Sequence, residues 1–132
     1  MEIKIDTALL DCLTEQAKVS PRLRMNYDLR TSAADTSQRR LNAIEPGSEV
    51  PIHRHRNTSE TFVVLRGGVV EEFWNSEGAV VASYELVAGG PICALNIPAC
   101  TWHTLRSLES GTVILEMKDG AYEPIGAEDI LK

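Results

Sequence analysis

From residue 39 onward the chain is cut into short apolar stretches by turn residues at regular intervals, and this spacing restricts the fold more than any other feature. "RRLNAIE" ends at Pro46-Gly47, "VPIHRH" near Asn57, "ETFVVLR" at Gly67-Gly68, and "VVEEFWN" at Ser76-Glu77-Gly78. "AVVASYELVA" runs to Gly89-Gly90-Pro91, "ICALNIP" to the "ACT" turn, "WHTLRSL" to Ser110-Gly111, and "TVILEMK" to Asp119-Gly120. About eight short strands with a turn signal every 8–12 residues predict an all-β sandwich or barrel. Ahead of them, Leu9, Leu10, Leu13 and Ala17 recur at helical spacing behind a cap at Asp6 or Thr7, and Pro21 lies just beyond the expected helix end. Between helix and strands, Ser20 to Gln38 is polar and weakly patterned, which predicts an extended arm followed by a loop.

A length of 132 residues is enough for one domain with a real core and too short for two ordinary ones. The expected division is a helix and arm over 1–37, a barrel over 38–120 and a tail over 121–132. The net charge of −6 argues against general binding of nucleic acid or of acidic membrane surfaces, both of which rest on positive charge. The charge is uneven, however. Seven of the thirteen basic residues (Arg22, Arg24, Arg30, Arg39, Arg40, Arg54 and Arg56) fall between positions 22 and 56, where only Asp28, Asp35, Glu45 and Glu49 oppose them. No stretch approaches the roughly 20 apolar residues of a membrane span. Cys12, Cys93 and Cys100 form an odd set without CxxC spacing, which supports neither a disulfide framework nor a zinc knuckle, and the expected compartment is the cytoplasm.

Within the second strand candidate, His53 and His55 are two residues apart, so an extended chain aims both imidazoles to one face. Glu60 follows at the start of the next apolar strand. If Arg56 to Ser59 form a turn, Glu60 returns antiparallel beside the histidines, on the same side as Phe62 and Val64. A carboxylate facing inward there is costly unless paired or ligated. The one remaining histidine of the chain is His103, in "PACTWHTL". Imidazole nitrogens with a carboxylate suit a divalent transition metal. The plainer reading is a polar pocket in which the histidines are only hydrogen-bonded.

These residues stand in a recognisable order. Gly47, five residues, His53, one, His55, four, Glu60, six, Gly67 resembles the first motif of the cupin superfamily with every fixed position filled. The second motif is looser: Gly89 or Gly90, Pro98 and His103 fit it, whereas Cys100 stands where glycine is usual and Ser107 where asparagine is usual. "SPRLRMNYDLR", "QRRLNAIEPGSEVPIHRH", "ETFVVLRGGV", "PACTWHTL" and "GTVILEMKDGAYEP" further resemble the small WbuC-type cupin-fold metalloproteins, over most of positions 20 to 124. The resemblance implies a jelly-roll barrel with a short N-terminal helix. It also implies a divalent ion (Fe, Mn, Zn or Ni), with His53, His55, Glu60 and His103 as its expected ligands; the expected assembly is a homodimer. Three histidines and one carboxylate on an octahedral ion leave two positions open, as catalytic sites do.

Function is bounded less tightly. The resemblance suggests a metal-dependent enzyme, an oxygenase or an isomerase, acting on a small anionic or sugar-derived molecule. The rivals are a non-catalytic ligand-binding or sensing module and a sugar epimerase without metal redox chemistry. Arg22, Arg24 and Arg30 lie on an arm that could cover the barrel mouth, and Arg40 and Asn42 share one face of their strand. Arg24, Arg40 and Asn42 are therefore the candidate substrate contacts, with guanidinium groups suited to a carboxylate or phosphate. Glu71 and Glu72 alternate faces, so one of them is a candidate to point inward. Cys100 is expected as a small buried hydrophobe, and Trp102 on the barrel exterior or at a dimer contact.

Overall fold

The computed structural model describes residues 1–132. The helix α1 spans Thr7–Val19, and the Asp6 carboxylate caps it by accepting from the Leu9 amide at 3.0 Å. Its stripe of Leu10, Leu13, Thr14 and Ala17 is buried, and the helix stops at Ser20 before Pro21. Eight strands follow: β1 (Arg24–Asp28), β2 (Ser37–Ile44), β3 (Glu60–Arg66), β4 (Gly68–Trp74), β5 (Val80–Val87), β6 (Ala94–Ile97), β7 (Trp102–Ser107) and β8 (Val113–Asp119). They form two antiparallel sheets, one in the order β1-β2-β8-β3-β6 and the other in the order β5-β4-β7. The predicted all-β class with one short helix holds.

Two differences from the sequence reading concern the site. The stretch expected to be an arm contains β1, an edge strand paired with β2 from Arg24↔Ile44 to Asp28↔Arg40. Conversely, "VPIHRH" is not a regular strand: only His53 pairs, in isolated bridges to His103 and Ile130. Pro51 has no N–H to donate to a ladder, which shortens any pairing there. The segment therefore lies against β7, and β3 pairs with β6 and β8 instead of returning beside the histidines.

The central strands of the five-stranded sheet are buried on both faces. Leu41, Ala43 and Val113 pack outward under Leu10, Leu13 and Ala17 of α1. Ile44, Phe62, Val64 and Ile114 face the other way and join Val69, Leu86 and Ile97 in the core between the sheets. The chain passes from one sheet to the other at Gly67, and no other residue fits there. Its φ is +77°, and a Cβ would stand 2.8 Å from the Thr112 Cα. The apolar core fills one end of the interior, and the polar residues of the same strands fill the other.

Candidate metal centre

Each histidine reaches the interior by a different route. His103 is carried on β7, and two backbone hydrogen bonds tie it to His53, from His53 N–H at 3.0 Å and from His103 N–H at 2.9 Å. His55 lies two residues further along the irregular segment, where its carbonyl accepts from the Cys100 amide at 2.7 Å. The ring centroids are 4.4 Å apart for His53 and His103, 5.1 Å for His53 and His55, and 6.0 Å for His55 and His103. One nitrogen from each ring lies within 4.8 Å of the others. Glu60, at the head of β3, stands at the edge of this cluster with Oε2 3.4 Å from His55 Nε2.

The outer nitrogens of His53 and His103 are already engaged. His53 Nδ1 is 2.8 Å from the Pro51 carbonyl, an acceptor only, so Nδ1 carries the proton and Nε2 keeps its lone pair. His103 Nδ1 is 2.7 Å from Glu71 Oε1, and its Nε2 is buried without a partner. Glu71 is 0% exposed and its second oxygen also has no partner. Carboxylate–imidazole contacts of this kind fix the tautomer and ring orientation of metal-bound histidines.

Electrostatics follow from burial. Burial, joined by the charge on a neighbouring histidine, pushes His53 down to about 4, and burial pushes His103 down to about 4 as well, so both rings are neutral at ordinary pH. Burial alone would raise Glu60, but the His55 contact and the charges of His103 and Lys118 outweigh it and bring Glu60 to about 2. Glu71 goes the other way. Burial, and then the nearby carboxylates of Glu60, Glu116 and Glu72, push it up to about 9. Without a cation the His103–Glu71 pair is thus held neutral. A cation on Nε2 would place the proton on Nδ1 and offset an ionised Glu71. Buried donor lone pairs beside a carboxylate in need of positive charge fit a divalent ion.

The histidines open onto a cavity of about 320 Å³ whose wall includes Arg22, Arg24, Arg40 and Asn42. All three candidate substrate contacts therefore face it. Arg40 and Asn42 are partly engaged: Arg40 Nε donates to Glu116 Oε2 at 2.9 Å and Asn42 Nδ2 donates to Glu116 Oε1 at 3.0 Å. Arg30 lies in an adjoining cleft, paired with Asp28 at 2.8 Å and 5.9 Å from the Tyr122 ring centre.

Sequence reasoning missed Glu116, Lys118 and Tyr122 on this wall. Alternation in "TVILEMK" was the available signal for the first two, since Ile114, Glu116 and Lys118 share a face. Cys100 corrects an expectation: it is exposed, not buried, and it adopts φ +63°, the left-handed conformation that glycine would supply at that position. Trp102 is half-buried and lies under the Arg54 guanidinium, 4.4 Å from the ring centre.

Comparison with known proteins places this geometry. No curated protein sequence matches the chain. Among solved structures, the capsular polysaccharide assembling protein CapF from Staphylococcus aureus superposes with a TM-score of 0.66 at 21% identity, over 80% of this chain and 30% of that one. Recombinant oxalate oxidase in complex with glycolate gives 0.65 at 15% identity, over 82% of this chain and 56% of that one. KdgF from Halomonas sp. gives 0.61 at 16% identity, over 79% and 85%. The chain thus spans under a third of the length of CapF and little more than half that of oxalate oxidase. All three neighbours have the cupin fold, and this chain shares it. A family model described as a domain of unknown function, DUF6016, matches residues 5–86, more than half of the sequence. The chain is a cupin-fold protein and belongs to the DUF6016 family.

Proposed function

We propose that this protein is a metal-dependent cupin acting on a small anionic or sugar-derived molecule, with a divalent ion held by His53, His55, Glu60 and His103. The observation that carries the reading is the buried Nε2 of His103, without a partner, on a ring fixed from behind by the fully buried Glu71. A bound Fe, Mn, Zn or Ni ion would supply Lewis-acid or redox chemistry at positions left open to the ligand. The chain's own residues supply the rest. Glu71 and the Pro51 carbonyl orient the rings, Glu60 adds negative charge next to them, and the arginines on the wall attract an anion into the cavity. Lys118 and Tyr122 line the same cavity, and neither side chain forms an ion pair or a hydrogen bond, so both are in place to exchange a proton with a ligand. That favours an enzyme over a passive binding module.

The likeness of several segments to WbuC-type proteins supports a sugar-derived ligand, and the fold likeness to CapF points the same way. Packing of α1 on the five-stranded sheet and pairing of β1 with β2 support one domain over 1–132. The edge strand β5, with Val80, Val81, Tyr84 and Val87 exposed, offers a face for a homodimer. Three exposed free cysteines suit a reducing compartment, which supports a cytoplasmic setting.

Elemental analysis of untagged protein purified without oxygen tests the metal reading. Wild-type protein should carry one divalent ion per chain, and the H53A/H55A double variant should carry none while keeping its circular dichroism spectrum. A folded double variant that retains stoichiometric metal would refute the ligand assignment.

A further inference from the structure

We propose that Arg22, Arg24 and Arg40 form an oxyanion subsite, which holds a carboxylate or phosphate group of a small ligand whose other oxygens face the histidine cluster. The proposal rests on the metal-site reading above and adds to it the chemical class of the ligand. Arg24 and Arg40 stand on the five-stranded sheet, whereas His103 stands on the other sheet, and all of them line one cavity. One small molecule can therefore touch both.

Charge is the first argument. Glu116 is the counter-ion of this arginine group, and both of its oxygens are already taken by Arg40 and Asn42. The Arg22 and Arg24 side chains make no ion pair and no hydrogen bond. Burial, followed by the charge of Arg22, lowers the pKa of Arg24, with Arg40 adding to the effect and Glu116 opposing it. Guanidinium groups crowded in this way repel one another until an anion joins them, and their fork geometry matches carboxylate and phosphate. Four cationic side chains and four carboxylates line the whole cavity, so a divalent ion leaves it with two positive charges in excess. A neutral sugar would leave that excess in place; a phosphate monoester or a dicarboxylate would cancel it.

Backbone geometry is the second argument. Leu23, between the two arginines, has φ +56°, a left-handed conformation that costs a non-glycine residue about 1–2 kcal/mol. The turn is pinned on both sides: the Leu23 carbonyl accepts from Glu45 N–H at 2.9 Å, and the Arg22 carbonyl accepts from Ser48 Oγ at 2.7 Å. In an extended chain Arg22 and Arg24 would share a face only by alternation; here a fixed turn sets both on the cavity wall. Strain held by surrounding structure is characteristic of ligand clamps.

Calorimetric titration with inorganic phosphate and, separately, with malonate tests the proposal on protein loaded with Zn or Mn. Wild-type protein should bind at least one probe, and R24Q should weaken that binding about 10- to 100-fold, the loss of one charge-assisted contact, with metal content unchanged. Arg24 lies on an edge strand and its side chain bonds to nothing, so R24Q should fold; R22Q, outside the strands, should give the same direction. Phosphate binding without malonate binding identifies a phosphate ligand, and the reverse identifies a carboxylate. Affinities within about twofold of wild type in both variants would overturn the subsite, as would no binding of either probe. The two readings fail separately. Normal metal content with no dependence on Arg24 removes the subsite alone. Dependence on Arg24 in a protein that takes up no metal removes the metal centre alone.

Discussion

Strands β2 and β8 face two unlike environments. On one side Leu41, Ala43 and Val113 lie under α1 with no polar partner. On the other, residues from the same strands, Arg40, Asn42, Glu116 and Lys118, line the cavity, and there Arg40 pairs with Glu116 across the ladder. The register continues the polar rows: Asp28, Arg40 and Glu116 stand side by side, and Lys118 stands beside Glu60. The helix-facing side gains stability from removing apolar surface from water. The cavity-facing side does the opposite, because it keeps ionisable groups away from solvent where each must be matched. Stability and chemistry are thus divided by strand parity within one sheet, and changes on the two faces should have separable effects.

The largest effect on folding belongs to the helix side. Leu41 is 0% exposed, and L41A should cost about 2–5 kcal/mol through lost burial and a residual cavity. Urea unfolding measures this directly. Folded L41A should still bind one divalent ion with near wild-type affinity, because Leu41 points away from the cavity. Loss of metal affinity in folded L41A would show that the two faces are coupled through the strand.

Substitution behind the histidines should show the converse. E71Q keeps an oxygen for His103 Nδ1 but removes the charge that would offset a bound cation. Metal affinity should fall about 10- to 100-fold, in the range seen when a partner behind a ligand is altered. Stability of the metal-free protein should change by less than about 1 kcal/mol, because burial already keeps Glu71 protonated, with its pKa near 9. Competition with a chelator gives the first quantity and urea unfolding the second. Metal affinity unchanged in E71Q would rule out Glu71 as the supporting charge.

These two faces also differ in how far the amino-acid sequence reveals them. The apolar face was legible: α1 was expected from its leucine spacing, and seven of the eight strands from their turn punctuation. The histidines and Glu60 were legible as a set because their order follows a known motif, although the fold brings them together differently. Periodicity treated "VPIHRH" as a strand, but next to Pro51 only His53 pairs, in isolated bridges to His103 of β7 and to Ile130. β1 went unseen because "RMNYD" is an edge strand with too little apolar alternation to register. Glu71 remained one of two alternatives, since parity alone does not say which glutamate of a neighbouring pair turns inward. Glu116 and Lys118 were missed because an inward charge looks like a surface charge until the ladder supplies its partner.

The smallest effect should come from the C-terminal segment, which lines part of the cavity without belonging to either face. Asp129 Oδ1 accepts from Arg54 Nε at 2.9 Å and from Arg56 Nε at 2.6 Å, and Leu131 N–H donates to the Ile52 carbonyl at 2.8 Å. Ile130 lines the cavity and bridges to His53, so this clasp sets how firmly the histidine segment is held. D129N should speed exchange of the Leu131 amide while leaving the urea midpoint nearly unchanged, since ion pairs close to the surface contribute little to global stability. The contacts with Arg56 and then Arg54 hold the Asp129 carboxyl below its ordinary value of 3.8. Its contribution is therefore complete above that value and fades as pH falls through the lower folded one. Wild-type Leu131 should lose protection on acidification below pH 3.8, and D129N should be less protected already at neutral pH, with no such acid step. Equal exchange rates in the two proteins at neutral pH would mean that the backbone bonds of Ile130 and Leu131 hold the segment without the ion pairs.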